Sequence, residues 1–507
     1  MRLERKNIFF FMLMLIMVLS LSACGKNEND ENNQSKISCI DDIAGCKIGV
    51  QIGTTGAIYA CDYEGDEAGT VVEQYNKGAD AVQALKQGKI DCVIIDEQPA
   101  MQFVSQNPGL MILDEDFTIE DYALVIAKEN TELLDDINSI LNELKADGTI
   151  DNIVKNYIGS EEEVGNFPYI PADIDHANGV LTIGTNAEFP PYEMHENGKI
   201  TGIDIDIMRA VCDRMNMELA IEDMAFDSVI SAVSTGKVDV GASGFTVTEE
   251  RKKNINFSDS YATSRQVVIV KGTSVDSETM GISEKFYQNF IADSRYNYLL
   301  TGLKNTLVIA VFACLIGITL GFVIAIIRTT HDRNGGLNIL NFICNIYLAI
   351  VRGTPVMIQL LIIYYVIFQS VNLDKIIVAI IAFGLNSAAY VAEILRSGIM
   401  AIDIGQFEAG RSLGLTYRMT LTNIIIPQAI KNVLPALCNE FISLLKETSI
   451  SGYIGLMDLT KGGDIIRSVT YEAFMPLIAV AIIYLLLVLG LNNAVRALER
   501  SLRKSEK

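Results

Sequence analysis

Two patterns of hydrophobic and polar positions divide the chain near residue 300. Up to residue 271, short β-branched runs alternate with stretches whose apolar residues recur every three or four positions, and this alternation predicts α/β units. Strands are predicted at 47–52, 90–95, 181–185, 238–242 and 267–270, and helices at 79–87, 203–215 and, as a packed pair, 133–157. The residues that precede 300 therefore predict soluble α/β structure.

Long apolar runs after residue 301 predict an all-α membrane part of five transmembrane helices. Residues 307–327 carry no formal charge, and a stretch of this length can cross the hydrocarbon core as a helix. The other four predicted spans are 337–368, with a break near residues 353–355, then 376–395, 433–445 and 474–491. Basic residues follow the first and the last span, which predicts cytoplasmic helix ends there and an extracytoplasmic position for 25–300.

The first 24 residues read as an export signal. Arg2, Arg5 and Lys6 precede the apolar run 8–19, which is too short to span a bilayer. Residues 21–24 (LSAC) resemble the lipobox of bacterial lipoproteins, which implies a signal peptide at 1–23, a lipidated Cys24 and a tether at 24–39. The alternative reading is an uncleaved anchor helix.

Charge and composition exclude some kinds of function. The chain has 507 residues and a net charge of −22, which argues against nucleic-acid binding. Its nine cysteines form no CxxC motif, so no metal site is expected. No GxxxxGK[ST] motif is present, so the chain is expected to have no ATP site of its own and no cofactor.

A loop between the third and fourth predicted spans resembles the EAA loop of ABC-importer permeases. It reads GQFEAGRSLG over 405–414, and its candidate ATPase-coupling residues are Glu408, Ala409, Gly410 and Gly414. The strings at 352–355, 389–393 and 446–449 resemble the subgroup that carries polar amino acids. The resemblance covers 301–495, leaves 496–507 as a cytoplasmic tail, and implies separate ATPase subunits and a second permease subunit, in a homodimer.

Two further strings resemble type II periplasmic amino-acid-binding proteins, which have two α/β lobes. They read TNAEFPPY over 185–192 and ASGFTVTEER over 242–251. The resemblance implies that Arg251 binds the ligand α-carboxylate with two parallel hydrogen bonds. Other candidate substrate-binding residues in this part of the chain are Asn186, Phe189, Phe226, Ser243, Gly244 and Thr246.

The second lobe contributes one acidic candidate and one hydroxyl candidate. Asp96, in the string IIDE, is expected to bind the α-ammonium, and Thr55, in the string GTTG, is expected to help bind the carboxylate. Glu188 has two readings, a contact to a cationic ligand side chain or a solvated surface position. Ligand binding would favour a closed form, because only that form contacts both ends of the zwitterion.

The order of these segments differs from the resembled family, in which the segment that opens lobe 1 comes first. Here lobe 2 (40–127) and the closing helices of lobe 1 (128–158) precede a linker (159–179) and lobe 1 (180–272). A second linker at 273–300 leads to the membrane. A circular permutation explains this order, with new ends at a hinge crossing, so that one crossing is no longer continuous chain. The alternative is completion of the domain by another copy.

These expectations combine into ATP-dependent uptake of a polar amino acid at the bacterial cell membrane. A ligand-gated channel is the rival, and it predicts a pore loop and no coupling helix. An enzyme is disfavoured because no histidine stands among the pocket candidates as a general base. The identity of the amino acid stays open.

Overall fold

The computed structural model describes residues 37–64, 69–272, 281–369, 371, 373–470 and 472–504. The predicted signal peptide, the lipidation site Cys24 and most of the predicted tether lie outside the described residues. Within them, a two-lobed α/β part is followed by a helical part with several long apolar helices.

The strands and helices come in the following order along the chain. The strands are β1 (Lys47–Gln51), β2 (Val71–Tyr75), β3 (Cys92–Asp96), β4 (Leu110–Ile112), β5 (Thr118–Tyr122), β6 (Val125–Ala127), β7 (Val180–Thr185), β8 (Glu188–Phe189), β9 (Glu193–Glu196), β10 (Lys199–Thr201), β11 (Glu218–Asp223), β12 (Val240–Gly241), β13 (Ile255–Phe257) and β14 (Ala262–Lys271). The α-helices are α1 (Thr55–Cys61), α2 (Gly78–Lys86), α3 (Glu97–Gln106), α4 (Thr131–Ala146), α5 (Thr149–Ile158), α6 (Ile203–Met215), α7 (Phe226–Ser234), α8 (Ile282–Phe286), α9 (Tyr296–Asn334), α10 (Asn338–Gly353), α11 (Val356–Ile362), α12 (Lys375–Met400), α13 (Ile404–Ser412), α14 (Tyr417–Thr420), α15 (Ile426–Glu447), α16 (Leu459–Thr470) and α17 (Phe474–Lys504).

Each lobe is built on its own sheet. Lobe 2 has the strand order β2-β1-β3-β14-β4, with β5 also paired to β14, and lobe 1 has the order β11-β7-β12-β6-β13. In both sheets one strand comes from a distant part of the chain and runs antiparallel to its neighbours, β14 in lobe 2 and β6 in lobe 1. The predicted α/β class is thus confirmed, and one chain supplies every strand of both lobes.

The predicted lobe boundaries are wrong at these two strands. The chain crosses between the lobes from β5 to β6 and from β13 to β14, and both crossings are continuous polypeptide. The interruption expected at a hinge crossing therefore does not occur. The chain instead enters and leaves within lobe 2, where Ile37 is buried in the core and Gly272 donates a backbone hydrogen bond to Gly109.

The helices α4 and α5 form the packed pair that the apolar spacing predicts, and they close lobe 1, as the resemblance implies. Their inward residues include Ile137, Leu141 and Ile153, which share a core with α6 and the strands β6 and β7. The linker 159–179 also stays on lobe 1, because the hydroxyl of Tyr169 donates to Asp213 at 2.6 Å. Lobe 1 is thereby a continuous unit despite the separation of its segments in sequence.

The described helical part contains three helices that are long and apolar enough to cross a membrane, Tyr296–Arg333, Lys375–Met400 and Phe474–Arg500. A fourth candidate is the pair Asn338–Gly353 and Val356–Ile367, which is bent by 109° at the break predicted near Pro355. The fifth predicted span falls in α15, which is long enough to cross a membrane but is less apolar than these helices.

The predicted linker 273–300 is folded over its described portion. Residues 282–295 form α8, a π-helical turn Tyr287–Ile291 and a 3-10 turn Ala292–Ser294, and α9 begins at Tyr296. The amide of Asn289 donates to Glu472 at 3.1 Å and accepts from Thr470 at 2.9 Å. This segment therefore belongs to the membrane part and does not form a free tether.

Candidate functional site

A closed cleft between the two lobes brings together all nine predicted substrate-binding residues. Its lining consists of Gln51, Thr54, Thr55, Asp96, Asn186, Phe189, Phe226, Ser243, Gly244, Thr246 and Arg251. Gln51 and Thr54 were not among the predicted residues; Gln51 is the last residue of β1, and Thr54 lies within the GTTG string that follows it. Among the described residues that line the cleft, the charged ones are Arg251 from lobe 1 and Asp96 from lobe 2.

Arg251 lies at the start of a 3-10 turn, Arg251–Lys253, and its side chain spans both lobes. Its guanidinium donates to the carbonyl of Thr246 at 2.9 Å in lobe 1 and to the carbonyl of Gly53 at 2.7 Å in lobe 2. Burial lowers the pKa of this guanidinium, whereas the charge of Glu120 acts in the opposite direction. A guanidinium has five N–H donors, so these two bonds leave others for a ligand carboxylate.

Gly244 gives the loop beside Arg251 its shape. It has φ +53°, and a Cβ at this position would lie 2.9 Å from the Phe189 ring. The Gly244 N–H is not free for a ligand carboxylate in the closed cleft, because it donates to a carboxylate oxygen of Asp204 at 2.8 Å. The hydroxyl of Tyr261 donates to the same oxygen at 2.7 Å. Asp204 thus positions the loop from behind, a role that sequence reasoning missed.

The two predicted aromatic residues stand on supported positions in the cleft. Phe226 begins α7 and stacks on Phe245, with ring centroids 4.8 Å apart. Phe189 packs against Tyr192 at a centroid distance of 5.6 Å. Asn186 is held by a hydrogen bond from its side-chain amide to the carbonyl of Met224 at 3.0 Å.

Asp96 ends β3 in lobe 2 and is buried at the cleft. Its carboxylate accepts a hydrogen bond from the hydroxyl of Tyr122. Burial, followed by the negative charge of Glu120, raises the pKa of Asp96 to about 7. A carboxyl group held in this way is half ionised near neutral pH and gains from a cationic partner, which an α-ammonium supplies.

Glu120 connects the lobes beneath the cleft and was not predicted. It lies on β5, next to the first crossing, and accepts hydrogen bonds from the hydroxyls of Thr55 at 2.9 Å and Thr246 at 2.8 Å. The amide of Gln266 donates to the same oxygen at 3.1 Å. No sequence motif marks this glutamate, because its partners lie 65 to 146 residues away.

Glu188 is not a solvated surface residue, and it does not line the cleft. Its carboxylate is buried between Lys77 of lobe 2 at 2.8 Å and Lys461 of the membrane part at 3.1 Å. Burial opposes ionisation of Glu188, but the two lysines outweigh it and lower the pKa to about 2. Glu188 therefore belongs to a contact between the binding domain and the membrane part.

The predicted coupling loop forms the short helix α13. The carboxylate of Asp403 caps its first turn by accepting from the Gly405 N–H at 2.7 Å. Phe407 anchors the helix from below: its ring stacks on Tyr417 at 5.7 Å, and the guanidinium of Arg333 lies 4.0 Å from the ring centroid. Glu408 and Ala409 are exposed, as a docking surface requires.

Gly410 and Gly414 of this loop are glycines for different structural reasons. A Cβ on Gly410 would lie 2.7 Å from the Thr420 side chain, so glycine permits close packing of α13 on α14. Gly414 has φ +82° and follows the helix end, a position that favours glycine. Two strongly exposed apolar residues lie at the ends of the helix, its first residue Ile404 at 65% and Leu413, just after its last residue, at 81%.

Comparison with known proteins gives two kinds of relative. Residues 65–160 and 181–454 match the family described as bacterial extracellular solute-binding proteins, family 3. The arginine transport system permease protein ArtQ of Bacillus subtilis is 39% identical over 211 residues, which are 41% of this chain and 94% of that protein. The putative glutamine transport system permease protein GlnP of Rickettsia bellii is 37% identical over 207 residues, which are 40% of this chain and 93% of that protein.

Among solved structures, one described as an amino acid ABC transporter with histidines is 42% identical. The alignment covers 42% of this chain and 98% of that chain, with a TM-score of 0.39.

Proposed function

Because the chain belongs to the bacterial extracellular solute-binding proteins, family 3, and carries a permease homologous to those of amino-acid ABC transporters, we propose that it takes up a polar amino acid at the expense of ATP. One polypeptide serves as receptor and permease. The similarity to permeases of amino-acid transport systems supports transport of amino acids. The ATP dependence, the fused role and a site in the bacterial plasma membrane are parts of the proposal.

The observation that carries the proposal is the pair of opposite charges facing one cleft from two lobes. Within the part of the chain that the structure describes, Arg251 of lobe 1 and Asp96 of lobe 2 are the charged residues of the lining. A free α-amino acid has one carboxylate and one ammonium at a fixed separation, so it satisfies both groups at once. A closed cleft excludes bulk water, so each of these charges needs a compensating partner, and the ligand supplies both partners.

The membrane part supports the second half of the proposal. The exposed residues Glu408 and Ala409 of α13 are proposed to dock on a separate ATPase subunit, with the apolar Ile404 and Leu413 at the edges of the contact. Five spans per chain and two permease subunits, as a homodimer, are also proposed. The chain supplies no ATP site in this scheme, and ATP is bound by the partner.

Calorimetry of the full-length chain in detergent, against each of the twenty amino acids, tests the receptor role. At least one polar amino acid is expected to bind, and Arg251→Ala is expected to abolish that binding. Lys252→Ala is the matched control, because Lys252 is the exposed neighbour and pairs only with Glu249, at 2.8 Å. Wild-type affinity in Arg251→Ala would refute the assigned role.

Uptake into vesicles tests the permease role. The wild-type chain, reconstituted with its ATPase subunit, is expected to accumulate the amino acid only with ATP. A downhill flux that needs ligand and no ATPase would instead favour the ligand-gated channel.

A further inference from the structure

The helix α16, which lies between α15 and α17, presents a row of charges to the binding domain. Lys461, Asp464 and Arg467 are spaced by three residues, so they share one face of the helix. The side chains of all three are largely shielded from solvent, with exposures of 9%, 23% and 15%. Shielded charges are retained in a fold only where partners compensate them, and here the partners come from both lobes.

Lobe 1 contributes two carboxylates to this face. The ammonium of Lys461 lies 3.1 Å from Glu188 and 3.2 Å from Asp223. Asp223 also lies 3.3 Å from the His195 ring. Burial opposes the charge of Lys461, but the two carboxylates raise its pKa above the usual range. Lys461 is therefore held as a cation by lobe 1.

Lobe 2 contributes one cation and one anion, Lys77 and Asp80, from the start of α2. The carboxylate of Asp80 forms an ion pair with Arg467, and the ammonium of Lys77 lies 3.4 Å from Asp464. Lys77 also contacts Glu188 of lobe 1 at 2.8 Å. Because Lys77 joins lobe 2, lobe 1 and α16, this arrangement is complete only when the lobes are closed.

The opposite face of α16 is fixed to the membrane helices. A Cβ on Gly462 would lie 2.5 Å from the carbonyl oxygen of Tyr298 in α9, and a Cβ on Gly463 would lie 2.4 Å from Val480 in α17. The two glycines thus allow close packing of α16 on the backbone of the first apolar helix and on a side chain of the last one. A force on the charged face of α16 is therefore transmitted to both of these helices.

We propose that α16 is the element of the permease that recognises lobe closure, by forming ion pairs with lobe 1 and lobe 2 at the same time. The inference rests on the proposed function, since it assumes that an amino acid closes the lobes. Opening separates Asp80 and Lys77 from α16 and leaves Arg467 and Asp464 with each other, 3.1 Å apart.

A contact with both lobes has a thermodynamic consequence that a contact with one lobe does not have. If α16 binds the closed form more tightly than the open form, then the contact stabilises the closed form and raises ligand affinity by the same factor. A contact that involves lobe 1 alone has no such effect, because lobe 1 presents the same surface in both forms. Lys375, at the start of α12, makes such a contact, since it pairs with Glu222 of lobe 1.

The test is the ligand affinity of the full-length chain in lipid nanodiscs, with the amino acid that binds most tightly among the twenty tested one by one. Arg467→Glu is expected to weaken binding about tenfold, a typical coupling between sites. The exchange Asp80→Arg with Arg467→Glu is expected to recover most of that affinity, because it restores the ion pair with reversed polarity. Lys375→Glu is the matched control and is expected to bind as the wild type does.

Three results would overturn the inference: an unchanged affinity in Arg467→Glu, an exchange variant no better than Arg467→Glu, or an equal loss in Lys375→Glu. If Arg467→Glu lowers the unfolding temperature, Arg467→Gln replaces it, since it removes the charge without reversing it. A wild-type chain that binds none of the twenty amino acids would refute the proposed function instead. The two failures are therefore distinguishable.

Discussion

The proposed binding of the α-ammonium by Asp96 predicts that amino-acid affinity depends on pH in a range where most aspartates do not titrate. The burial of Asp96, together with the charge of Glu120, raises its pKa to about 7 in the closed cleft. Only the ionised carboxylate attracts an α-ammonium, so protonation of Asp96 competes with binding. The affinity is expected to be fully present above pH 7 and to fall as the pH drops through that value.

The size of the effect follows from the pKa. A ligand that binds only the ionised form has an apparent Kd multiplied by 1 + 10^(pKa − pH), where the pKa is that of the ligand-free protein. With the value of about 7 that holds in the closed cleft, the factor is roughly 1.1 at pH 8, about 11 at pH 6 and about 100 at pH 5. These factors are upper limits, because an open cleft hydrates the carboxyl group and lowers its pKa. An aspartate with the ordinary pKa of 3.8 would leave the affinity nearly constant over the same range. A neutral polar amino acid keeps both of its own charges throughout, so the titration belongs to the protein.

Calorimetry of the full-length chain between pH 5 and pH 8, in buffers of constant ionic strength, measures this dependence. Asp96→Asn is expected to lose about a hundredfold in affinity or more, since an unpaired ammonium in a buried site costs about 3–5 kcal/mol, and to bind with a flat pH profile. Glu97→Gln is the control, because Glu97 pairs with Arg265 outside the cleft lining. An affinity that stays constant from pH 8 to pH 5.5 in the wild type would refute the reasoning.

Two further substitutions test the backbone positions that the structure requires to be glycine. Gly244→Ala places a Cβ against Phe189 and is expected to reduce ligand affinity at least tenfold, measured by calorimetry, whereas Gly236→Ala, which has φ +68° and open space, is expected to cost only about 1 kcal/mol of stability and no affinity. Gly462→Ala places a Cβ against the carbonyl of Tyr298 and is expected to lower the thermal stability of the purified chain by several degrees; unchanged unfolding would show that α16 is not fixed to α9.

Sequence motifs located the cleft because its residues occur in short, characteristic strings. All nine predicted substrate-binding residues line one cleft, although their binding roles stay predictions. Glu120 and Asp204 were missed for a physical reason. Each is a single acidic residue whose partners are distant in sequence, and nothing local distinguishes a buried carboxylate from a solvated one.

The assignment of strands to lobes failed for a similar reason. The apolar run at 267–270 correctly predicts a buried strand, but a buried strand carries no local signal for the sheet that it joins. β14 joins lobe 2 by antiparallel pairing with β3, across 170 residues of sequence, as the pair Gln266 and Asp96 shows. The expected break in a hinge crossing was a direct result of placing β14 in lobe 1.

The membrane helices were located well, since long apolar runs have few alternatives to a spanning helix. Four of the five predicted spans correspond to apolar helices, or to a bent pair, in the described residues. The remaining predicted span, at 433–445, lies in α15, where Lys431 and Glu440 reduce the apolar character of the helix. A helix that faces protein or an aqueous path needs less apolar surface than one that faces lipid, so hydropathy predicts it less reliably.

The exit of the chain from lobe 2 at Gly272 sets a limit on how far the receptor travels. Nine peptide units join Gly272 to Gly281, and even fully extended they reach only about 30 Å. A connection of this length keeps the effective concentration of the binding domain at the permease in the millimolar range. Search by diffusion therefore contributes little to the transport cycle, and a contact tighter than micromolar would leave the receptor permanently seated. The ion pairs between α16 and the two lobes are contacts that the receptor can break and form again in each round of the proposed transport.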